Sequence, residues 1–226
     1  MSDVIPPRRR RFAPLVIVTG VAATLLLAFA TTGALAGFTA SINNSANTTA
    51  SGTLLMTETQ GATTCLSSAA GTVTTANQGT CSTINKFNSA GTLMVPNVPV
   101  TSTVTIKNNG TVPANTFTLT PGGCTQANAS STPNGSDTAF CSKIDITIAD
   151  TTGTAFCVLP SSASACATPS STTTLTSQGT TAVSLGTPLA AGASRTYTFT
   201  LMLDNSATNA DQGLVANETL TWAFAS

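Results

Sequence analysis

The chain has 226 residues, of which 41% are hydrophobic and only 7% are charged, and its formal net charge is zero. The absence of histidine excludes Ser-His-Asp triads, Cys-His dyads and H-E-x-x-H zinc sites. After residue 36, four basic and seven acidic side chains leave a net charge of −3. Without a basic patch, nothing supports binding to nucleic acid through phosphate contacts.

Residues 1–36 are typical of a signal peptide. "PPRRRRF" supplies a positively charged region, and "PLVIVTGVAATLLLAFATTGALA" supplies a long apolar stretch. Ala34-Leu35-Ala36 fits the small-x-small pattern of a cleavage site, so we expect cleavage between Ala36 and Gly37. An uncleaved membrane anchor is the alternative, because the apolar stretch is long enough to span a hydrocarbon core of about 30 Å.

The next segment, residues 37–51, combines a short strand pattern with a polar tether. In "GFTASI", residues 37–42, the apolar side chains of Phe38, Ala40 and Ile42 alternate with small or polar ones, which predicts a strand with one apolar face. "NNSANTTAS" follows as the tether. The predicted polymerisation strand consists of Gly37, Phe38, Thr39, Ala40, Ser41 and Ile42. The third predicted part of the chain is a β-domain over residues 52–226, after the signal peptide and the segment 37–51.

Period-two alternation of apolar and polar residues recurs through the rest of the chain. The clearest stretches are 100–106, 116–120, 144–148, 196–203 and 220–224, and weaker ones are 53–57, 155–159, 172–176 and 182–185. Many such strands without a long helical period predict an all-β sandwich or barrel. We expect long loops at 60–90 and 121–140. The predicted core contains Phe117, Ile144, Ile146, Tyr197, Phe199, Leu201, Trp222 and Phe224.

All six cysteines follow the export signal, which indicates disulfides. Several connectivities are open, and we favour the pairs nearest in sequence: Cys65 with Cys81, Cys124 with Cys141, and Cys157 with Cys166. Each pair brackets a polar loop. Zinc ligation is the competing interpretation, but the chain has no C-x-x-C pair and no histidine.

Few residues are candidates for chemistry. Asp145 and Asp150 flank a strand and are expected to be two solvated charges rather than an acid–base pair. The loop 204–213 carries Asp204, Asn205, Asn209 and Asp211, but their spacing does not fit an EF-hand, so a polar loop is favoured over a calcium site. We therefore expect no catalytic, cofactor-binding or metal-binding residues, no cofactor, no small-molecule substrate and no enzymatic activity.

Three stretches, in order, resemble the TasA and camelysin family. These are "GFTASINNSANTTASGTLLM" (37–56), "VTSTVTIKNNGTVPANTFTL" (100–119) with its Asn108-Asn109-Gly110 turn, and "AGASRTYTFTLML" with "NADQGLVANETLTWAF" (191–224). The cysteines depart from the best-known members. Camelysins are classed as metallopeptidases, an activity that is not carried over because no histidine is available to hold zinc.

The resemblance implies a jelly-roll-like antiparallel β-sandwich, exported by Gram-positive bacteria through a SipW-type signal peptidase. The cysteine pattern adds the disulfide-stapled loops, which the best-known members lack. It also implies polymerisation into extracellular biofilm fibres, in which the freed N-terminal strand adds to the next subunit. The partner is then a second copy of the chain. The alternative is a monomeric secreted or cell-surface binding module, in which residues 37–42 pair within their own domain and the stapled loops carry recognition.

Overall fold

Antiparallel strands dominate the computed structural model, which describes residues 48–68, 77–87, 91–129, 133–161, 164–186 and 188–226. This part of the chain contains no α-helix and two short 3-10 turns, Phe140–Lys143 and Asn209–Asp211. Its strands are β1 Met56–Gln60, β2 Thr63–Leu66, β3 Pro99–Asn108, β4 Thr116–Pro121, β5 Thr125–Asn128, β6 Ile144–Asp150, β7 Phe156–Leu159, β8 Val183–Ser184, β9 Ser194–Leu203, β10 Leu214–Asn217 and β11 Leu220–Ala225. The all-β prediction is confirmed.

The strands form three sheets. The largest has the order β2-β1-β3-β9-β6-β7, a second has the order β11-β4-β8, and β10 pairs with β5. The long strands β3 and β9 lie at the centre of the large sheet and pair antiparallel from Pro99–Met202 to Lys107–Ser194. Residues Ala50–Ser226 belong to one compact unit.

The core lies where the large sheet faces the three-stranded sheet. Alternate residues of β3 and β9, such as Val104 and Tyr197, are fully buried because each strand presents one apolar face. The Phe117 ring on β4 meets the Tyr197 ring edge to face, with centroids 5.8 Å apart. Of the predicted core residues, six are buried, and Trp222 and Phe224 are half-buried against them. The core prediction is therefore confirmed.

The opposite face of β3 and β9 carries threonines. The hydroxyl oxygens of Thr103 and Thr198 lie 3.3 Å apart, and those of Thr105 and Thr196 lie 3.1 Å apart. Cross-strand hydroxyl pairs of this kind stabilise a sheet while keeping its outer face polar. The low charge of the chain is thus compatible with a hydrated surface.

The segments expected to be long loops each contain a short strand. β2 lies within 60–90 and pairs with β1, and β5 lies within 121–140 and pairs with β10. The expected strand at 172–176 is reduced to a single bridge between Thr174 and Asp145. Strands this short show no clear alternation: β2 forms a tight hairpin with the adjacent β1, and β5 forms by long-range pairing with β10.

The three disulfides join the cysteines nearest in sequence, Cys65–Cys81, Cys124–Cys141 and Cys157–Cys166. This is the pairing favoured by the sequence. Three disulfides are characteristic of proteins that fold in an oxidising, extracellular environment. Cys65 and Cys157 lie in β2 and β7, and Cys141 lies in the Phe140–Lys143 turn, so each bridge ties one such element to a loop segment.

Candidate functional site: a groove beside the last strand

A groove lined by both polar and apolar side chains runs between β11 and the β1–β2 hairpin. Its volume is about 690 Å³, and its apolar lining comes from Leu54, Met56, Leu66, Leu220, Trp222 and Phe224. Leu66 on β2 is a large apolar side chain that is 36% exposed. The groove thus brings the beginning and the end of the β-domain to one surface.

One long side of the groove is the outer edge of β11. This strand pairs with β4 on its inner side, and it is the terminal strand of its sheet within the described residues. Its apolar side chains point inward: the Trp222 ring lies 5.2 Å from the Tyr197 ring and 5.8 Å from the Phe117 ring. An edge strand presents backbone N–H and C=O groups that can pair with another strand.

The floor of the groove contains a buried polar cluster. Glu58 on β1 is 6% exposed, and its Oε1 accepts a hydrogen bond of 2.8 Å from Trp222 Nε1. The same oxygen lies 2.9 Å from Lys86 Nζ, in an ion pair with both side chains nearly buried. A buried carboxylate is tolerated when it is paired in this way. The cluster fixes the indole of Trp222 and joins the two sheets at the floor.

The other side of the groove is the β1–β2 hairpin with the Cys65–Cys81 bridge. Ser67 Oγ accepts a hydrogen bond of 2.9 Å from Met56 N, which closes the end of the hairpin. The segment around Gly79 lies directly on β2, since a Cβ at Gly79 would be 2.1 Å from the Leu66 carbonyl oxygen. The disulfide holds this segment in place, so the wall of the groove is covalently tied.

The turn after β3 clamps the segment that leads into the groove. Thr111 N donates to Thr53 O at 2.9 Å, and Asn109 Nδ2 donates to Thr57 Oγ1 at 2.6 Å. A Cβ at Gly110 would be 2.2 Å from the Thr53 carbonyl oxygen, so only glycine permits this approach. Residues 53–57 are therefore held in a fixed path at one end of the groove.

The predicted polymerisation strand, residues 37–42, and the predicted cleavage residues Ala34, Ala36 and Gly37 lie outside the described residues. The disulfide cysteines are the predicted site residues that the structure places. Within the described ranges, no helix is long and apolar enough to cross a membrane. The same ranges contain no group of three or more Cys, Asp or Glu side chains arranged to hold a metal ion.

The expectation that Asp145 and Asp150 are solvated was wrong. Asp145 is fully buried and Asp150 is 4% exposed. The Thr174 segment covers one edge of β6 at Asp145, while Asp150 Oδ2 lies 3.9 Å from Arg195 Nη1. Burial, together with the nearby charge of Asp204, raises the pKa of Asp145 above its ordinary value.

The ion pair of Glu58 with Lys86 in the floor of the groove is not among the features predicted from the sequence. One signal was present: Leu54, Met56 and Glu58 share one face of the strand pattern, so an acid falls on an apolar face. An acid in that position predicts a buried cationic partner. The identity of the partner depends on tertiary structure, since Trp222 lies 164 residues away from Glu58.

No protein-family model matches the chain, and no curated protein matches it in sequence. The functional argument therefore depends on the groove, the disulfides and the pattern of the N-terminal segment.

Proposed function

We propose that this protein is a secreted structural subunit of an extracellular fibre of the biofilm-matrix type. After removal of the signal peptide, residues 37–42 of one subunit add as a strand to the groove of the next. The supporting observation is the groove along the outer edge of β11. With it we propose a jelly-roll-like β-sandwich over residues 52–226, no enzymatic role, and membership of the TasA and camelysin family.

The N-terminal segment suits the groove in length and pattern. Six residues in a strand span about 20 Å, and β11 also has six residues, Leu220–Ala225. Phe38, Ala40 and Ile42 fall on one face of such a strand. Added beside β11, that face packs against the apolar lining, while the backbone pairs with the strand edge. Main-chain pairing supplies affinity and the side chains fix the register.

The tether favours pairing between subunits. Residues 43–51 span up to about 30 Å when extended, enough to carry the strand away from its own domain. When residues 37–42 of one subunit enter the groove of the next, the donor and the acceptor are different elements of the chain, so each contact is head to tail. Such a contact builds an open fibre when its rotation does not close a ring.

The polar floor makes the groove suitable for an apolar strand. Glu58 is already paired with Lys86 and Trp222, so an incoming Phe or Ile side chain does not leave a carboxylate without partners. The groove can therefore bind apolar side chains while Glu58 keeps its partners.

Binding of a synthetic peptide to the shortened protein tests the proposal. Trp222 is the single tryptophan of the chain, so its fluorescence reports directly on the groove. A protein lacking residues 37–46 should bind the peptide of residues 37–42 with a saturable blue shift of Trp222 emission. A peptide with Phe38→Asp and Ile42→Asp should not bind, whereas Thr39→Asp with Ser41→Asp, on the other face, should bind nearly as well. An unchanged Trp222 signal at millimolar peptide would contradict the proposal.

The alternative function is a monomeric binding module that uses the disulfide-stapled loops. The same deletion distinguishes the two functions. If residues 37–46 pair within their own domain, their removal should lower the melting temperature by several degrees even in dilute solution. If they pair with a neighbour, the shortened domain should melt like the dilute monomer.

A further inference from the structure

A carboxyl group and a side-chain amide meet at the start of β11. Glu218 lies in the short link between β10 and β11, and its Oε2 accepts a hydrogen bond of 2.6 Å from Gln178 Nε2. The same nitrogen donates to Leu175 O at 3.5 Å, which orients the amide. Oε1 of Glu218 and Oε1 of Gln178 are both buried and have no hydrogen-bond partner in the described part of the chain. The two groups joined by one short hydrogen bond thus each keep an acceptor oxygen without a donor.

One proton on Glu218 supplies the missing donor for both oxygens. A protonated carboxyl group carries an O–H donor, and a primary amide has an acceptor oxygen next to its N–H donors. The two groups can therefore form a ring of two hydrogen bonds, in which Gln178 Nε2 donates to Glu218 Oε2 and Glu218 Oε1 donates to Gln178 Oε1. Ionisation of Glu218 removes the second bond and leaves two buried acceptors without a donor, which is costly.

In the segments that surround this pair, Glu218 is the only charged side chain. These segments are residues 119–125, 172–184 and 214–225. The link between β4 and β5 contacts the pair directly, since Gly122 N donates to Thr219 O at 2.7 Å. Burial without an opposite charge raises the pKa of Glu218 to about 7, although the hydrogen bond from Gln178 acts in the opposite direction.

The pair also connects the edge strand β11 to the large sheet. Residues 173–175, shortly before Gln178, are hydrogen-bonded to residues 144–146 of β6 at 2.8 and 2.9 Å. On the other side of the pair, the two residues that follow the carboxyl group, Thr219 and Leu220, line the groove. A change in this contact therefore acts at once on the beginning of β11 and on one end of the groove.

We propose that Glu218 and Gln178 form a proton-dependent latch that holds the start of β11 and strengthens strand addition in the groove at mildly acidic pH. Because the pKa of Glu218 is higher in the folded state, the stabilisation is complete below its ordinary value of 4.5 and is lost as the pH rises through about 7. The latch itself does not depend on fibre formation, whereas its effect on the groove rests on the proposed function.

Hydrogen exchange followed by mass spectrometry tests the latch in dilute protein beginning at Gly37. After correction for intrinsic exchange rates, protection of residues 173–178 and 218–220 should fall by about tenfold between pH 5.5 and pH 8.5. Glu218→Gln keeps both hydrogen bonds as an amide–amide pair, so its protection should change by less than about twofold. Asp145, which pairs with Thr174, is the other carboxyl group at this segment, and Asp204 is the charge that acts on it. The control Asp145→Asn should keep the tenfold change.

Peptide binding tests the effect on the groove. The peptide of residues 37–42, with acetylated and amidated ends, carries no charge, so its own titration does not contribute. By Trp222 fluorescence, the shortened protein should bind it about fivefold more tightly at pH 5.5 than at pH 8.5. Glu218→Gln should bind it equally at both pH values. The ion pair of Glu58 with Lys86 in the floor is the same in both proteins, so the comparison isolates Glu218.

The two experiments separate the latch from the proposed function. Equal protection of the wild type at both pH values, or an undiminished change in Glu218→Gln, would overturn the latch. Equal peptide affinity of the wild type at both pH values would overturn its effect on the groove. Absence of peptide binding at either pH would overturn the proposed function and that effect with it, while hydrogen exchange would still decide whether the latch exists.

Discussion

Asp145 is fully buried in β6, and neither of its carboxylate oxygens has a hydrogen-bond donor in the described structure. Burial penalises its ionised form first, and Asp204 adds a like charge, so both effects raise the pKa of Asp145. A carboxyl group whose pKa is higher in the folded state favours folding at low pH and opposes it after ionisation. This residue therefore lowers stability at neutral pH.

Asp145→Asn should raise the free energy of unfolding at pH 7 by about 1–3 kcal/mol, because the buried charge is removed. The gain should disappear near pH 3, where Asp145 is protonated in the folded and the unfolded chain. Urea unfolding at the two pH values measures the difference. The matched control is Asp150→Asn, which loses the ion pair with Arg195 and should not gain stability. Destabilisation of Asp145→Asn at pH 7 would show that the carboxylate has a partner.

Glu218 is a second residue that makes the stability of the folded protein depend on pH. Burial raises its pKa to about 7, although the hydrogen bond from Gln178 Nε2 acts in the opposite direction. The stability contributed by its protonated form is complete below its ordinary value of 4.5 and is lost as the pH rises through about 7. Glu218→Gln should therefore melt higher than the wild type at pH 8 and show a flatter dependence between pH 5 and 8. Parallel melting curves over that range would contradict this assignment.

At the scale of elements, the turn after β3 positions the segment that enters the groove. Asn108 is fully buried, and its Nδ2 donates to Val112 O at 2.9 Å and to Leu189 O at 3.1 Å. Gly110 N donates in turn to Asn108 Oδ1 at 2.9 Å. Every polar group of the Asn108 side chain is used, so the turn is rigid and places Gly110 against Thr53.

Gly110→Ala should lower the free energy of unfolding by about 1–3 kcal/mol, because the added methyl group displaces the Thr53 backbone. It should also weaken binding of the residue 37–42 peptide, since Leu54 lines the groove. Gly153→Ala is the control, because a Cβ there has no atom within 4 Å. If the two variants were equally stable in urea, the close contact between Gly110 and the Thr53 backbone would not contribute to stability.

Long alternating strands could be predicted from the sequence, while short strands could not. The patterns in β3, β9 and β11 are visible because each strand alternates a more buried face with a more exposed one, whereas β6 alternates in sequence although both of its faces are buried. β2 and β5 have four residues each, too few to show alternation; β2 pairs with the adjacent β1, and β5 pairs with the distant β10. The burial of Asp145 could not be predicted from the strand pattern either, because the segment around Thr174 that covers it lies 29 positions further along the chain. The groove itself is assembled from both ends of the domain.

At the scale of the whole molecule, the disulfides differ in whether they form part of the groove. The Cys65–Cys81 bridge fastens its wall, whereas Cys157–Cys166 joins β7 to a loop and does not line it. Removing either bridge should cost about 2–4 kcal/mol of stability. Only the Cys65→Ser/Cys81→Ser variant should also lose peptide binding, as measured by Trp222 fluorescence. If the variants lacking Cys65–Cys81 and lacking Cys157–Cys166 bound the peptide with equal affinity, the Cys65–Cys81 bridge would not be required for the shape of the groove.

The central claim is that residues 37–42 of one subunit pair with the groove of the next. Negative-stain electron microscopy of the protein beginning at Gly37 tests it most directly, beside a variant with Phe38→Asp and Ile42→Asp. The account predicts long unbranched fibres for the first protein and folded monomers for the variant. Monomers from both proteins at all concentrations and salt conditions, or fibres from both, would contradict it.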